Sequence, residues 1–111
     1  MIRIDGAWIA VEPLDMRCGV DTALARVVSV FGAAHAHQAY LFLNRRANRL
    51  KVLVHDGFGL WLCARRLQQG QFVRPDTHLG SRFELTNEQL RALVVGLPWQ
   101  RLNEHARVSV L

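Results

Sequence analysis

Seven basic side chains crowd residues 44–74 of this chain, with one acid among them. They are Arg45, Arg46, Arg49, Lys51, Arg65, Arg66 and Arg74, and the acid is Asp56. The segment therefore carries +6, while the other seven basic and eight acidic residues leave the rest at −1. The whole excess of +5 is local. An arginine offers a planar fork of donors that grips phosphate oxygens in pairs and stacks on bases. A localised positive patch on a folded surface is the footprint of a polyanion partner, most often nucleic acid. Thirteen of the fourteen basic residues are Arg. A GC-rich genome accounts for most of that bias, so the clustering carries the inference and the choice of Arg does not.

Other groups with chemical potential have better structural explanations. His35-x-His37, with Cys18 or His55, has the residue types of a metal site, but no recognisable spacing supplies third and fourth ligands. Asp5, Glu12, Asp15 and Asp21 could hold magnesium, yet Asp15 and Asp21 stand where a cap and a first helical turn belong. Cys18 lies near the same helix start, where a thiol becomes more acidic, and no local pattern sets a histidine beside it. The chain lacks a phosphate loop, a dinucleotide fingerprint after a strand, a Gly-x-Ser-x-Gly elbow and a Cys-x-x-Cys pair. Catalytic residues, metal ligands and cofactors are accordingly assigned to none. Trp61 and Phe72 could stack on bases, although Trp61 fits the core beside Val52 or Val54 better. No helix-turn-helix, zinc-finger or RNP signature points to sequence-specific readout.

The elements that must position the basic residues read as follows. Trp8–Val11 is a short strand closed by Pro13, and Asp15 caps a turn through Gly19. Val20, Ala23, Leu24, Val27, Val28 and Phe31 then form an amphipathic helical stripe that Gly32 stops. Tyr40–Leu43 is a strand ended by Asn44, Arg49–His55 a second, and Leu60–Ala64 a third, the last two joined at Asp56-Gly57. Whether the turn has two residues or four, its length is even. Leu50, Val52 and Val54 therefore share a face with Trp61, Cys63 and Arg65, and Arg49, Lys51 and Leu53 share the other with Leu60, Leu62 and Arg66. The basic residues thus gather at the end away from the turn, together with Arg45 and Arg46. A loop runs from Gln68 to Ser81, and a final helix has Thr86 as N-cap, Gln89 as capping-box partner and Gly96 and Pro98 as stops.

The predicted fold class is α+β: a small antiparallel sheet, a three-strand meander plus a short N-terminal strand, packed against two amphipathic helices. One domain is expected over residues 1–111, with its core at about 8–99 and a loosely held tail at 100–111. No apolar run approaches the ~20 residues of a membrane span, and the charged N-terminus has no signal-like apolar core. Two cysteines are too few for a disulfide framework, which fits a cytoplasmic protein with no membrane partner.

Three blocks together resemble a known family. Pro13-Leu14-Asp15-Met16-Arg17-Cys18-Gly19-Val20-Asp21 is similar to its Pro-x-Asp-Met-Arg-Lys-Gly-x-Asp opening. Arg49–Leu53, Asp56–Trp61 and Arg65-Arg66-Leu67-x-x-Gly70-x-Phe72 resemble its middle, and Leu85-Thr86 through Gly96-Leu97-Pro98-Trp99 its closing helix. The family is the TnpB-type protein encoded by the second open reading frame in the sixty-six group of insertion sequences, unrelated to the RNA-guided nuclease of the same name. The similarity spans roughly residues 8–101. Cys18 stands where the family usually has Lys, removing a charge, and Arg65 replaces a common Lys, keeping one. The resemblance implies a non-catalytic accessory factor of transposition, encoded beside a larger transposase that holds the catalytic carboxylates. The expected partners are that transposase and DNA, near the element's ends, through the seven basic residues. The alternative is an adaptor that recruits the transposase by an exposed sheet edge or the Val20–Phe31 helix without touching DNA.

Overall fold

The computed structural model describes residues 2–102. In chain order the elements are β1 (Gly6–Ala10), α1 (Val20–Phe31), β2 (Gln38–Leu43), β3 (Arg49–His55), β4 (Leu60–Arg66), β5 (Arg82–Leu85) and α2 (Asn87–Val94). A 3-10 turn at Thr77–Leu79 precedes β5. The strands form one sheet in the order β4-β3-β2-β1-β5. The α+β class, the β2–β3–β4 meander and the N-terminal strand are as the sequence predicts. The sheet is mixed, however: β1 runs parallel to β2, with Trp8 beside Tyr40, and α1 makes the crossover that a parallel pair requires.

The fifth strand lies where no element was assigned. Arg82-Phe83-Glu84-Leu85 pairs antiparallel with β1, and its polar–apolar alternation is the period of a half-buried edge strand. Four residues are too short a run to stand out from the loop before them.

Each face of the sheet carries a core and a helix. On one face Ala23 and Val27 of α1 cover Ala10, Tyr40, Phe42 and Leu53. Phe31 closes this layer, its ring 5.0 Å from Tyr40 and 6.1 Å from Phe42. On the other face Leu93 of α2 and Trp99 pack on Ile9, Leu41, Leu43, Leu50 and Val54. The central strand β2 is buried on both faces, which is why its Ala39–Leu43 run is apolar without alternation. Thr86 caps α2 through its hydroxyl to the Gln89 amide at 3.1 Å, and Gln89 returns the bond at 2.9 Å. Beyond α2 the chain turns at Gly96, whose φ is 84° and whose missing Cβ makes room for Leu67 and the Gln71 carbonyl.

Two side chains considered for base stacking lie elsewhere than expected. Phe72 is buried against the α2 face, and its amide donates to the Ala47 carbonyl at 2.8 Å. Trp61 does sit opposite Val54, one of its two expected neighbours, but β4 is an outer strand and Trp61 is 50% exposed. Of the segment read as a tail, Gln100 accepts from the Asp76 amide and its carbonyl from Gln89 Nε2, and residues 103–111 lie outside the described residues.

Candidate nucleic-acid interface

Two turns meet at the end of the hairpin that carries the arginines. The first, residues 44–48, is organised by Asn44. Its Oδ1 accepts from the amides of Asn48 and Arg49, both at 3.0 Å, and its carbonyl accepts from the Ala47 amide at 3.0 Å. Ala47 adopts a φ of 56° and turns its methyl into the core, so Arg45 and Arg46 are left outside. The guanidinium of Arg74 clamps the turn from beyond, donating to the carbonyls of Asn44, at 2.8 Å, and Arg45. The second turn is the 13–18 segment. Leu14 is buried, and its amide donates to the Leu43 carbonyl at 3.0 Å, which ties this segment to the end of β2. Lys51 reaches across from β3 to the Cys18 carbonyl at 2.8 Å.

Between the turns lies a hollow of about 510 Å³, walled by Pro13, Leu14, Asp15 and Met16 on one side and Asn44, Arg45, Arg46, Asn48 and Arg49 on the other. A second hollow of about 270 Å³ adjoins it, lined by Met16, Arg49, Lys51, Ala64, Arg65 and Arg66. Met16 and Arg49 belong to both, so the two make one groove with Met16 as an apolar ridge.

Register explains which cations share the groove. Arg49 stands directly opposite Arg66, and Lys51 opposite Ala64, on the α1 face of the sheet. Arg65 pairs with Leu50 on the opposite face, and its Nε donates to the Val94 carbonyl at 2.7 Å, at the carbonyl-rich end of α2. All seven predicted residues therefore reach one end of the molecule. Four of them, Arg45, Arg46, Arg49 and Arg66, make no side-chain hydrogen bond among the described residues; Lys51, Arg65 and Arg74 each donate to backbone carbonyls.

No carboxylate among the described residues forms an ion pair with them. The ion pairs among the described residues are Arg3–Asp5 at 3.3 Å, Arg17–Asp15 at 2.7 Å and Arg26–Glu12 at 3.6 Å, and none involves the seven. Asp15 is the acid in the groove wall, and Arg17 already holds it. Both guanidinium contacts and the Arg17 amide bind its carboxylate, with Arg17's side chain the chief cause of a pKa lowered to about 2. Three of the four early carboxylates considered for magnesium, Asp5, Glu12 and Asp15, are thus paired with separate arginines, and no group of three or more His, Cys, Asp or Glu among the described residues could hold a metal. No helix among the described residues is long and apolar enough to cross a membrane.

Sequence reasoning missed Met16, Asn44 and Asn48 as parts of the groove. Their signals were present: Met16 lies within the family's opening block, and Asn44 and Asn48 bracket Arg45 and Arg46.

The described chain is a small α+β protein with a helix on each face of a mixed sheet and an electropositive groove at one end. Its sequence belongs to the family described as IS66 Orf2 like protein, whose profile matches residues 5–104. The family consists of accessory proteins of transposable elements of that group. Two curated relatives come from Sinorhizobium fredii (strain NBRC 101917 / NGR234). "Uncharacterized protein y4hO" is 34% identical over 98 residues, covering 87% of this chain and 84% of the relative. "Uncharacterized protein y4jC" is 30% identical over 95 residues, covering 85% and 80%. No solved structure matches the chain.

Proposed function

We propose that the chain is a non-catalytic accessory factor of transposition that binds DNA near the element's ends through the groove between the 13–18 and 44–48 turns. The observation that carries this reading is the gathering of Arg45, Arg46, Arg49, Lys51, Arg65 and Arg66 in two adjoining hollows, with no carboxylate partner among the described residues. A like-charged cluster of this kind gains from a polyanion what it loses to self-repulsion. Arg45 and Arg46, on a rigid turn and free of internal bonds, are the leading phosphate contacts. Arg74 acts mainly by holding that turn. Five or six phosphate contacts correspond to a log-log salt slope near −5. Fluorescence anisotropy with a duplex of the element's terminal repeat, across a salt series, measures it. Changing Arg45 and Arg46 together to Ala is expected to flatten the slope by about 2 and to weaken binding evenly across sequences. An unchanged slope sinks the assignment of those two residues.

A second reading, a transposase adaptor, is favoured by a different surface. The flank of α1 exposes Val20 and Val28, and these line an apolar trough with Leu24, Leu60 and the hairpin tip, where Phe58 is fully exposed. The trough suits an apolar helix face of the larger transposase. Co-purification with the transposase that survives nuclease treatment and is lost in Val28→Asp, without any shift of naked DNA, would select this reading over the first. Both functions together, on separate surfaces, would give the shift and the co-purification independently.

A further inference from the structure

Strand β4 is one margin of the sheet, and the phase of its ladder follows from two backbone bonds. Asn44 donates to the Arg49 carbonyl at 3.1 Å, and Asp56 to the Gly59 carbonyl at 3.1 Å. Antiparallel pairs alternate, so Trp61, Cys63 and Arg65 turn their backbone groups toward β3. Leu60, Leu62, Ala64 and Arg66 turn theirs outward, toward no other strand among the described residues. The opposite margin is guarded. β5 has four residues, two of them charged, and Arg82 is tied to the Val30 carbonyl at 2.8 Å. β4 has seven residues without Pro or Gly, and Trp61, Cys63 and Ala64 are exposed on it. A long edge whose first five residues, Leu60 to Ala64, carry no charge is a template for another strand.

We propose that the occupant is β4 of a second copy, paired antiparallel about a two-fold axis at Cys63, which joins the two sheets into one. The strand is complementary to itself in this register. Leu60 meets Arg66 of the second copy, and Leu62 meets Ala64. Each of these outward-facing pairs occurs twice, for about eight backbone hydrogen bonds in all. On the α2 face Trp61 meets Arg65 of the second copy in a closely spaced, non-hydrogen-bonded pair. The half-exposed indole thereby gains a guanidinium whose head Val94 already holds in place. An axis at Leu62 sets Arg65 against Gly59 instead, and one at Ala64 sets Trp61 against Leu67, so neither pairs cation with ring. The Cys63 axis also keeps like charges apart: the Arg66 residues of the two copies end about 20 Å from one another along the seam. Arg65 and Arg66 line the groove as well as the seam, so the dimer is read without DNA, by sedimentation and cross-linking, and its failure is separate from failure of the groove.

Sedimentation of the full chain at about 50 μM is expected to report a dimer. Cys63 serves as a position marker, because its non-hydrogen-bonded partner across the axis is itself, at a Cβ separation of about 4.5–5.5 Å that a disulfide can span with slight adjustment. Diamide removes two electrons and two protons from a thiol pair, becoming the hydrazine as the disulfide forms. The Cys18→Ser protein should give a covalent dimer with it, reversed by dithiothreitol, and the Cys63→Ser protein should give none. Cys63→Arg places two cations on the axis and is expected to weaken the dimer at least about tenfold with an unaltered circular dichroism spectrum. Trp61→Arg, which faces Arg65 of the second copy, provides the same readout should Cys63→Arg not fold. A monomer at about 100 μM, a dimer indifferent to the folded variants, or cross-linking through Cys18 overturns the proposal.

Discussion

At one end of the β3–β4 hairpin Arg49 and Arg66 face each other across the ladder; at the other, the Asp56 carboxylate gathers three donors. Its Oδ1 accepts from the amides of Phe58 at 2.8 Å and Gly59 at 2.7 Å, and its Oδ2 from the Trp61 indole at 2.8 Å. The tip is therefore locally satisfied, with charge, donors and a left-handed Gly57 in agreement. The basic end breaks a local rule, since like charges directly opposed on adjacent strands destabilise a sheet. Natural sequences break such rules at sites kept for function. Two ends of one hairpin thus differ in purpose: one stabilises the fold, and the other is tolerated by it.

The largest expected effect takes both ends together, because they share one core. Trp99 is buried, and its indole donates to the Val73 carbonyl at 2.8 Å. Trp99→Ala should remove about 3–5 kcal/mol of stability, measured by urea unfolding. A loss below about 1 kcal/mol would show that the closing segment is not part of that core. The next variant separates the ends. Arg66→Glu turns an opposed like-charge pair into an attractive one, so the fold should gain about 0.5 kcal/mol. DNA affinity near 0.1 M salt should fall roughly 30-fold, as a phosphate contact is lost and a repulsion added. Stability and binding both falling would mean that the opposed arginines serve the fold.

Arg74→Ala is smaller and mixed. Freeing the carbonyls of Asn44 and Arg45 should reduce stability by about 1 kcal/mol and loosen the 44–48 turn, seen as faster amide exchange at Ala47. If exchange there is unaltered, the clamp is incidental. The smallest effect is confined to the tip and appears with acid. Asp56 titrates at about 2, below its usual 3.8, chiefly because the Phe58 and Gly59 amides and then the Trp61 indole bond its charged form. A lowered carboxylate pKa stabilises above the unfolded value and loses that contribution as pH falls. The tip should therefore be intact above about pH 4 and loosen toward pH 2. Trp61 emission, isolated by subtracting a Trp61→Phe protein, should shift in that window, and Asp56→Asn should abolish the shift. Constant emission down to pH 2 would show that Asp56 does not hold the indole.

Much of the fold was legible because its signals are local. The α1 stripe, the Thr86–Gln89 capping box and the even turn at Asp56-Gly57 each depend on residues a few positions apart. They placed α1, α2 and the faces of β3 and β4 as found. The clustering of charge was also legible, because Arg45, Arg46, Arg49, Lys51, Arg65 and Arg66 lie on one hairpin and the turn that enters it.

What the chain's pattern did not disclose depends on contacts distant in sequence. The parallel pairing of Gly6–Ile9 with Gln38–Leu41 and the docking of β5 on β1 leave no local period to read. The same holds for the groove's second wall, since only folding brings Met16 and Asp15 to Arg45 and Arg49. Exposure was decided there too: Trp61 stays half in solvent because β4 has no outer neighbour among the described residues, while Phe72 joins the core, its amide bonded to the Ala47 carbonyl. Sequence by itself determined which residues share a face and where the positive charge lies, since strand and helix periods are properties of the local backbone. Tertiary structure alone decided what each face meets, because burial is set by neighbours that the chain reaches only by closing long loops.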